Sequence, residues 1–303
     1  MNPAPHALPC SFFSSAIACF SLGLALLAGA ASAAGAAGAA REGAARGQPR
    51  ENSLGQKFVP VPGTSVLFCI WETRVQDFEA FVQATGYNAE AGMHSRFGAE
   101  LTWKPKGDTW RAPGFAQSPL HPVCGVNWED AKAFCLWLTA KERKEGKLAA
   151  NQEYRLPTDS EWSLAVGLPP EGSGSPKDKN AQVPDVYPWG TQYPPPARAG
   201  NFASEGDDVG WQIDGYADGA QRTAQVGSYT PNALGIYDLS GNLWEWCEDA
   251  HEPGSVARVL RGASWINDGP WNLLSSNRGY GTSTARQDGR GFRCVLATGV
   301  SSP

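Results

Sequence analysis

Positive charge is the first thing this 303-residue sequence is short of: 25 Lys and Arg face 30 Asp and Glu, charged residues make up 18 % of the chain, and the formal net charge is −5. No cluster of Lys and Arg stands out. The electrostatic footprint of nucleic-acid binding is therefore missing, and no nucleic-acid partner is expected. Histidine is scarce too. Beyond His6 near the start, only His94, His121 and His251 occur, far apart and outside any HxxxHxE pattern. Non-haem iron needs a cluster of His, or of His and carboxylate. A set built from His94, His251 and a carboxylate is the one arrangement left open for it, and iron is not expected. No GxSxG elbow is present, which removes the usual serine nucleophile turn. Gly172-Ser173-Gly174 has neither the flanking strand nor the lysine of a phosphate-binding loop. No internal repeat is apparent.

Glycine, proline and tryptophan are plentiful instead, at 35, 23 and 12 residues. That combination predicts much ordered loop pinned by large rings, since a tryptophan buries a large apolar area and seeks a partner for its N–H. At the N-terminus Ser11–Ala34 reads SFFSSAIACFSLGLALLAGAASAA, an apolar run ending in the small-residue pattern Ala31-Ser32-Ala33. It reads as a signal peptide over residues 1–33, with export to the periplasm or the extracellular space. The alternative is a retained anchor, the only route by which a membrane would be a partner. Residues 34–56 are mostly Ala, Gly, Arg and Pro and are expected to form a disordered tether. Removing the leader leaves Cys69, Cys124, Cys135, Cys247 and Cys294. Export favours disulfides, and the odd number leaves one thiol over.

The folded part is expected over residues 57–299, opening on strand-like alternation in FVPVPGTSVLFCIWET. Three helix starts follow. Thr73 and Gln76 form a capping-box pattern ahead of Val75, Phe78, Phe81 and Val82, and Gly86 stops that run. Asn127 caps a second helix with Ala131, Phe134, Cys135 and Leu138 on its apolar face. Thr158 and Glu161 form another capping box just after Pro157. From Gly167 onward the helical signal disappears, and turns and short strands follow. The order predicts an α+β fold within a single domain.

Several segments occur in a particular sequence: His121–Leu138 (HPVCGVNWEDAKAFCLWL), Tyr154–Trp162 (YRLPTDSEW), YPWG, NFA, Gly227–Trp246 (GSYTPNALGIYDLSGNLWEW), Arg261–Trp265 (RGASW) and Gly291–Cys294 (GFRC). In type and order they resemble the formylglycine-generating-enzyme, or sulfatase-modifying factor, domain over roughly Lys57–Ala297. The resemblance implies a single compact domain related to the C-type lectin fold, with little regular secondary structure. It implies structural calcium at two sites: Asn201, the Phe202 carbonyl, Asp214 and the Tyr216 carbonyl form one, and Asp238, the Gly241 and Leu243 carbonyls and Glu245 the other. Ca²⁺ takes six to eight oxygens, many of them carbonyls, as irregular Gly/Asn/Asp-rich loops provide. The resemblance also implies a disulfide between Cys135 and Cys294. Cys69 and Cys124 are candidates for a second bond, with Cys247 as the leftover.

Formylglycine generation in this family uses copper held by two cysteines. Aligning RGASW on the family's RGGSW puts Asn267 and Asn272 at those positions, beside Ser264. Soft thiolates suit Cu(I), and an amide oxygen does not. Copper and formylglycine generation are therefore not expected. The substrate groove would run by Ser264–Arg278, where Trp265 and Trp271 could stack on a ligand and Arg278 could pair with an acidic group. The leading expectation is a binding or accessory module for a peptide, protein or glycan. The alternative is an oxygen-dependent oxidoreductase of the same superfamily.

Overall fold

The last strand of the chain is inserted into the middle of the first sheet. That sheet runs β1 (Arg50–Glu51), β2 (Lys57–Pro60), β3 (Val66–Cys69), β11 (Val295–Thr298), β6 (Gln152–Arg155), and all its pairings are antiparallel. Leu296 lies opposite Leu67 on one side and Tyr154 on the other, so the two ends of the domain are joined by one hydrogen-bonded ladder. A second sheet orders β10 (Arg290–Gly291), β7 (Trp244–Ala250), β8 (Ala257–Arg261) and β9 (Gly279–Thr282), with β10 parallel to β7. A short pair, β4 (His94–Ser95) and β5 (Lys104–Pro105), stands apart. This computed structural model describes residues 48–96, 104–105, 107–207 and 209–299. The expected leader lies outside the described residues.

The α+β class and the shortage of regular structure hold, and so do the helix positions. α1 is Val75–Thr85, α2 Trp128–Lys144, α3 Asp159–Val166, and a single four-residue turn, α4 (Pro176–Lys179), follows. The Asn127 side chain accepts from the Asp130 N–H at 2.8 Å while Asp130 accepts from the Asn127 N–H at 2.9 Å. Thr158 and Glu161 make the same reciprocal pair at α3, at 3.1 and 2.8 Å. At α1 the cap differs from the expected Thr73–Gln76 box. Asp77 accepts the Arg74 N–H at 3.1 Å and ion-pairs with the Arg74 guanidinium, so the carboxylate one residue further on takes the role. Gly86 ends the helix as expected, at φ 67°, donating to the Val82 carbonyl.

The order begins earlier than composition suggested. Arg50 pairs with Phe58 in β1, inside the expected tether. Asn52 and Gln56 are buried, and the Asn52 carboxamide oxygen accepts the N–H groups of Leu54 and Gln56. A mostly polar segment, with Leu54 packed on the core, is held here by satisfied backbone groups, a property that hydropathy does not register.

Helices α1 and α2 share an aromatic core with the first sheet, which contributes Phe58, Leu67 and Tyr154. Phe78 meets Trp110 edge-on at 5.0 Å and Phe134 meets Phe292 at 5.4 Å. Pairs of this kind contribute about 0.5–1.5 kcal/mol beyond their area burial. A second core joins Trp162 and Val166 of α3 to Phe68, Val259 and Val295 between the sheets. The sheets thus meet through buried rings and leave the loops at the end of the second sheet to carry polar chemistry.

Candidate functional site

Strand β8 leads into the segment Gly262–Asn267, and Asn267 sits at its centre. The Asn267 carboxamide oxygen accepts from the Ser264 N–H at 2.9 Å, the Ser264 hydroxyl at 3.1 Å and the Trp244 indole N–H at 3.0 Å. Its carbonyl accepts the Ala203 N–H at 3.1 Å. A neutral acceptor stands where three donors converge. Beside it opens a cavity of about 240 Å³ whose walls include Trp244, Leu260, Ser264, Ile266 and Asn267. Asn272 is not among the lining residues: its N–H donates to the Gly269 carbonyl and its carbonyl accepts from the Asn277 side chain. The two asparagines thus have separate surroundings.

Of the three expected groove residues, only Trp271 is exposed, at 63 %. Trp265 is fully buried, its indole N–H donating to the Asp288 carbonyl at 3.3 Å, so it packs the core. Arg278 corrects the expectation most clearly. Its side chain is buried and bridges Asp159 and Glu171, and it donates to the Ser276 carbonyl at 2.7 Å. With Arg261 also on Asp159, it closes a buried charge network that anchors α3. Removing one partner of such a network leaves an uncompensated charge, which is why it is structural rather than ligand-seeking.

The first expected calcium set is drawn together by backbone. Ile213 donates to the Ala203 carbonyl and Glu205 to the Tyr216 carbonyl, which brings Asn201–Glu205 alongside Ile213–Tyr216. Phe202 is buried there, and Asp214 reaches solvent. The Asn201 carboxamide nitrogen donates to the Arg222 carbonyl and to Asn242, while its oxygen is buried without a partner among the described residues. An orphaned oxygen of this type suits a hard cation. Gly241 makes the packing possible: at φ 82°, a Cβ there would lie 2.2 Å from the Asn201 carbonyl oxygen.

The second set fits less evenly. Asp238 has one oxygen on the Gly227 N–H at 2.7 Å and the other buried without a partner among the described residues, and burial pushes its carboxyl up to about 6. Glu245 is already engaged. Both its oxygens meet Arg293, and one also accepts the Trp162 indole N–H at 3.1 Å. Sequence reasoning missed Glu72 and Arg293 as charges, although Arg293 stands in the GFRC motif and Glu72 stands at the end of the first strand-like stretch. Glu72 is fully buried and accepts from the Asn242 side chain and the Leu243 N–H. Burial, then Asp238 and Glu245, raise its carboxyl well above the ordinary range. Three buried carboxyl groups thus share one guanidinium, and two of them hold their protons more tightly than usual.

Cys135 and Cys294 are brought together, their sulfurs 3.4 Å apart as thiols. Cys69 shares that cluster, its N–H donating to the Cys294 carbonyl, whereas Cys124 packs with Met93, Leu243 and Trp265. The expected Cys69–Cys124 pair is therefore split between two cores. The histidines stay apart. His94 lies on β4, His121 contacts Thr223 at 3.1 Å, and His251 stacks on Tyr280 at 4.4 Å. Among the described residues, no three His, Cys, Asp or Glu side chains converge as a metal-binding group.

Residues 43–298 match the sulfatase-modifying factor enzyme 1-like domain. The chain belongs to this family. It is 34 % identical over 212 residues to the inactive C-alpha-formylglycine-generating enzyme 2 of Mus musculus, covering 65 % of this chain and 58 % of that protein. The chain therefore spans little more than half the length of that relative. It is 30 % identical over 284 residues to the formylglycine-generating enzyme of Streptomyces coelicolor, covering 78 % and 80 % of the two chains. Sulfatase-modifying factor relatives of both kinds, active and inactive by name, thus lie at similar distance. PvdO from Pseudomonas aeruginosa shares the fold at a TM-score of 0.53 and 21 % identity, over 81 % of this chain and 82 % of PvdO.

Proposed function

We propose that this chain is an exported, calcium-stabilised sulfatase-modifying factor domain that does not generate formylglycine and serves as a binding or accessory module. The observation that carries this reading is Asn267. An amide, already held by Ser264 and Trp244, stands where the family's chemistry needs a thiolate. An amide does not ionise at neutral pH and is a poor partner for Cu(I). The cavity beside it, about 240 Å³, has room for a small ligand, which supports a binding role. Calcium is supported by the partnerless oxygens of Asn201 and Asp238, with the Asn201 set the better fit. Export rests on the apolar run Ser11–Ala34. In an oxidising compartment the adjacent Cys135 and Cys294 thiols would join.

The test is to incubate the purified protein with a CxPxR peptide, Cu(I) and O₂ and to follow the peptide by mass spectrometry. No aldehyde above the peptide-alone background is expected; enzymatic conversion would sink the reading. Elemental analysis of protein purified without chelator separates the alternative. About one or two equivalents of calcium are expected. Near-stoichiometric copper or iron would instead favour an oxygen-dependent oxidoreductase.

A further inference from the structure

The cavity beside Asn267 holds an unneutralised charge. Of the other buried arginines among the described residues, Arg261 and Arg278 meet Asp159, Arg286 meets Asp130 and Arg293 meets Glu245, whereas Arg96 lies over the Trp211 ring at 3.9 Å. Half-buried Arg290 meets no carboxylate among the described residues. Its one hydrogen bond is a 3.5 Å contact from Nη2 to the Tyr280 carbonyl, and its guanidinium lies 5.4 Å from the Trp246 ring. Nη1 is pressed against Gly281, where even a Cβ would come within 2.3 Å. Burial lowers its affinity for the proton to about 10, which still leaves it a cation at neutral pH.

The surroundings are arranged for a negative partner. Arg290 is the one charged residue lining the cavity, and no carboxylate faces it there. The Asn267 oxygen is fully used by its three donors, which leaves the amide N–H₂ group without a protein acceptor among the described residues. Gln287 also lines the cavity, and its side-chain amide has no partner among the described residues. Trp244, Leu260, Ile266 and Tyr280 supply apolar and aromatic wall. One guanidinium neutralises one charge, and its planar fork matches a carboxylate. A space of about 240 Å³ admits a ring with a short chain.

We propose that this cavity binds a monoanionic organic carboxylate with an apolar or aromatic body, its charge on Arg290 and its body against Trp244 and Tyr280. This rests on reading the cavity as a ligand site that no longer carries redox chemistry. It goes further in naming the ligand's class and in making Arg290 the residue that selects it.

The test is calorimetric titration of the protein with 3-phenylpropionate, its uncharged amide and inorganic phosphate. The acid should bind at least about 10-fold more tightly than the amide, as a charge-assisted bidentate contact requires. Arg290→Leu should remove that preference while leaving the melting temperature close to that of the parent. Arg290→Gln serves if the leucine variant does not fold, and Arg290→Lys should keep only part of the preference, because the fork is lost. A phenylalanine-terminated peptide, with free or amidated terminus, tells a chain end from a small acid as the source of the carboxylate. Equal binding of acid and amide, no binding of either, tighter binding of phosphate, or an unchanged preference in both Arg290→Leu and Arg290→Gln would overturn the proposal. Binding is read without turnover. Conversion of a CxPxR peptide by a protein that still prefers the acid would therefore defeat the functional reading and leave the anion site standing.

Discussion

At the scale of single residues, the site is governed by acceptors and their donors. Asn267→Ala leaves the Ser264 N–H and hydroxyl and the Trp244 indole N–H without their shared acceptor. A loss of roughly 1–3 kcal/mol is expected, measured by denaturant unfolding. Asp288 makes a pH prediction. One of its oxygens accepts the Arg96 N–H at 2.8 Å, the other is buried without a partner among the described residues, and burial pushes its carboxyl up to about 7. The ordinary value is 3.8, so the folded chain holds this proton more tightly than the unfolded one. The stabilisation is complete below the ordinary value and is lost as pH rises through about 7. Asp288→Asn cannot titrate. Between pH 4 and 7 its stability should fall less than the parent's, by roughly 1–4 kcal/mol. Parallel pH profiles of the two proteins would exclude this account.

At the scale of elements, the caps are the clearest local determinants. Asn127→Ala at α2 and Thr158→Ala at α3 each remove a side-chain acceptor from a helix N–H and break a reciprocal pair. Each is expected to cost about 1 kcal/mol in a denaturant titration. These two caps were legible in sequence because the pattern is local: an acceptor, a carboxylate three residues on, then apolar periodicity. The first helix shows the limit of that reading. Thr73–Gln76 has the right spelling, yet Arg74 and Asp77 take the cap, because Asp77 is buried with the Arg74 guanidinium against it. A buried ion pair decided between two overlapping patterns, and burial is not written in a four-residue window.

For the whole molecule, the stabilising links join segments far apart in the chain. The Cys135 and Cys294 thiols are separated by 159 residues and touch across the first core. Oxidised protein should exceed the Cys135→Ser variant in stability by as much as about 5 kcal/mol in the chain-entropy view of a loop that long. Equal stabilities under oxidising conditions would count against the bond. Calcium is expected to act on the same scale, because Asn201, Asp214 and Asp238 come from separate loops. Chelator should lower the melting temperature, and calcium at about 100 times its dissociation constant should restore about 3 kcal/mol. Asn201→Ala should blunt that response; a response of full size would move the ion away from the Asn201 set.

By itself the sequence determined what depends on neighbours and on order: the α+β class, the three main helices, two of their caps, and the family. Tertiary structure alone decided which polar residues are spoken for. Trp265 and Arg278 stand in the groove segment, yet one packs the core and the other closes a buried charge network with Asp159 and Glu171. Arg290, unremarkable in GRGFRC, becomes a guanidinium in a cavity lined by no carboxylate. A charge acquires its meaning from what surrounds it after folding. Here those surroundings are assembled from strands and loops whose partners lie tens to hundreds of residues away.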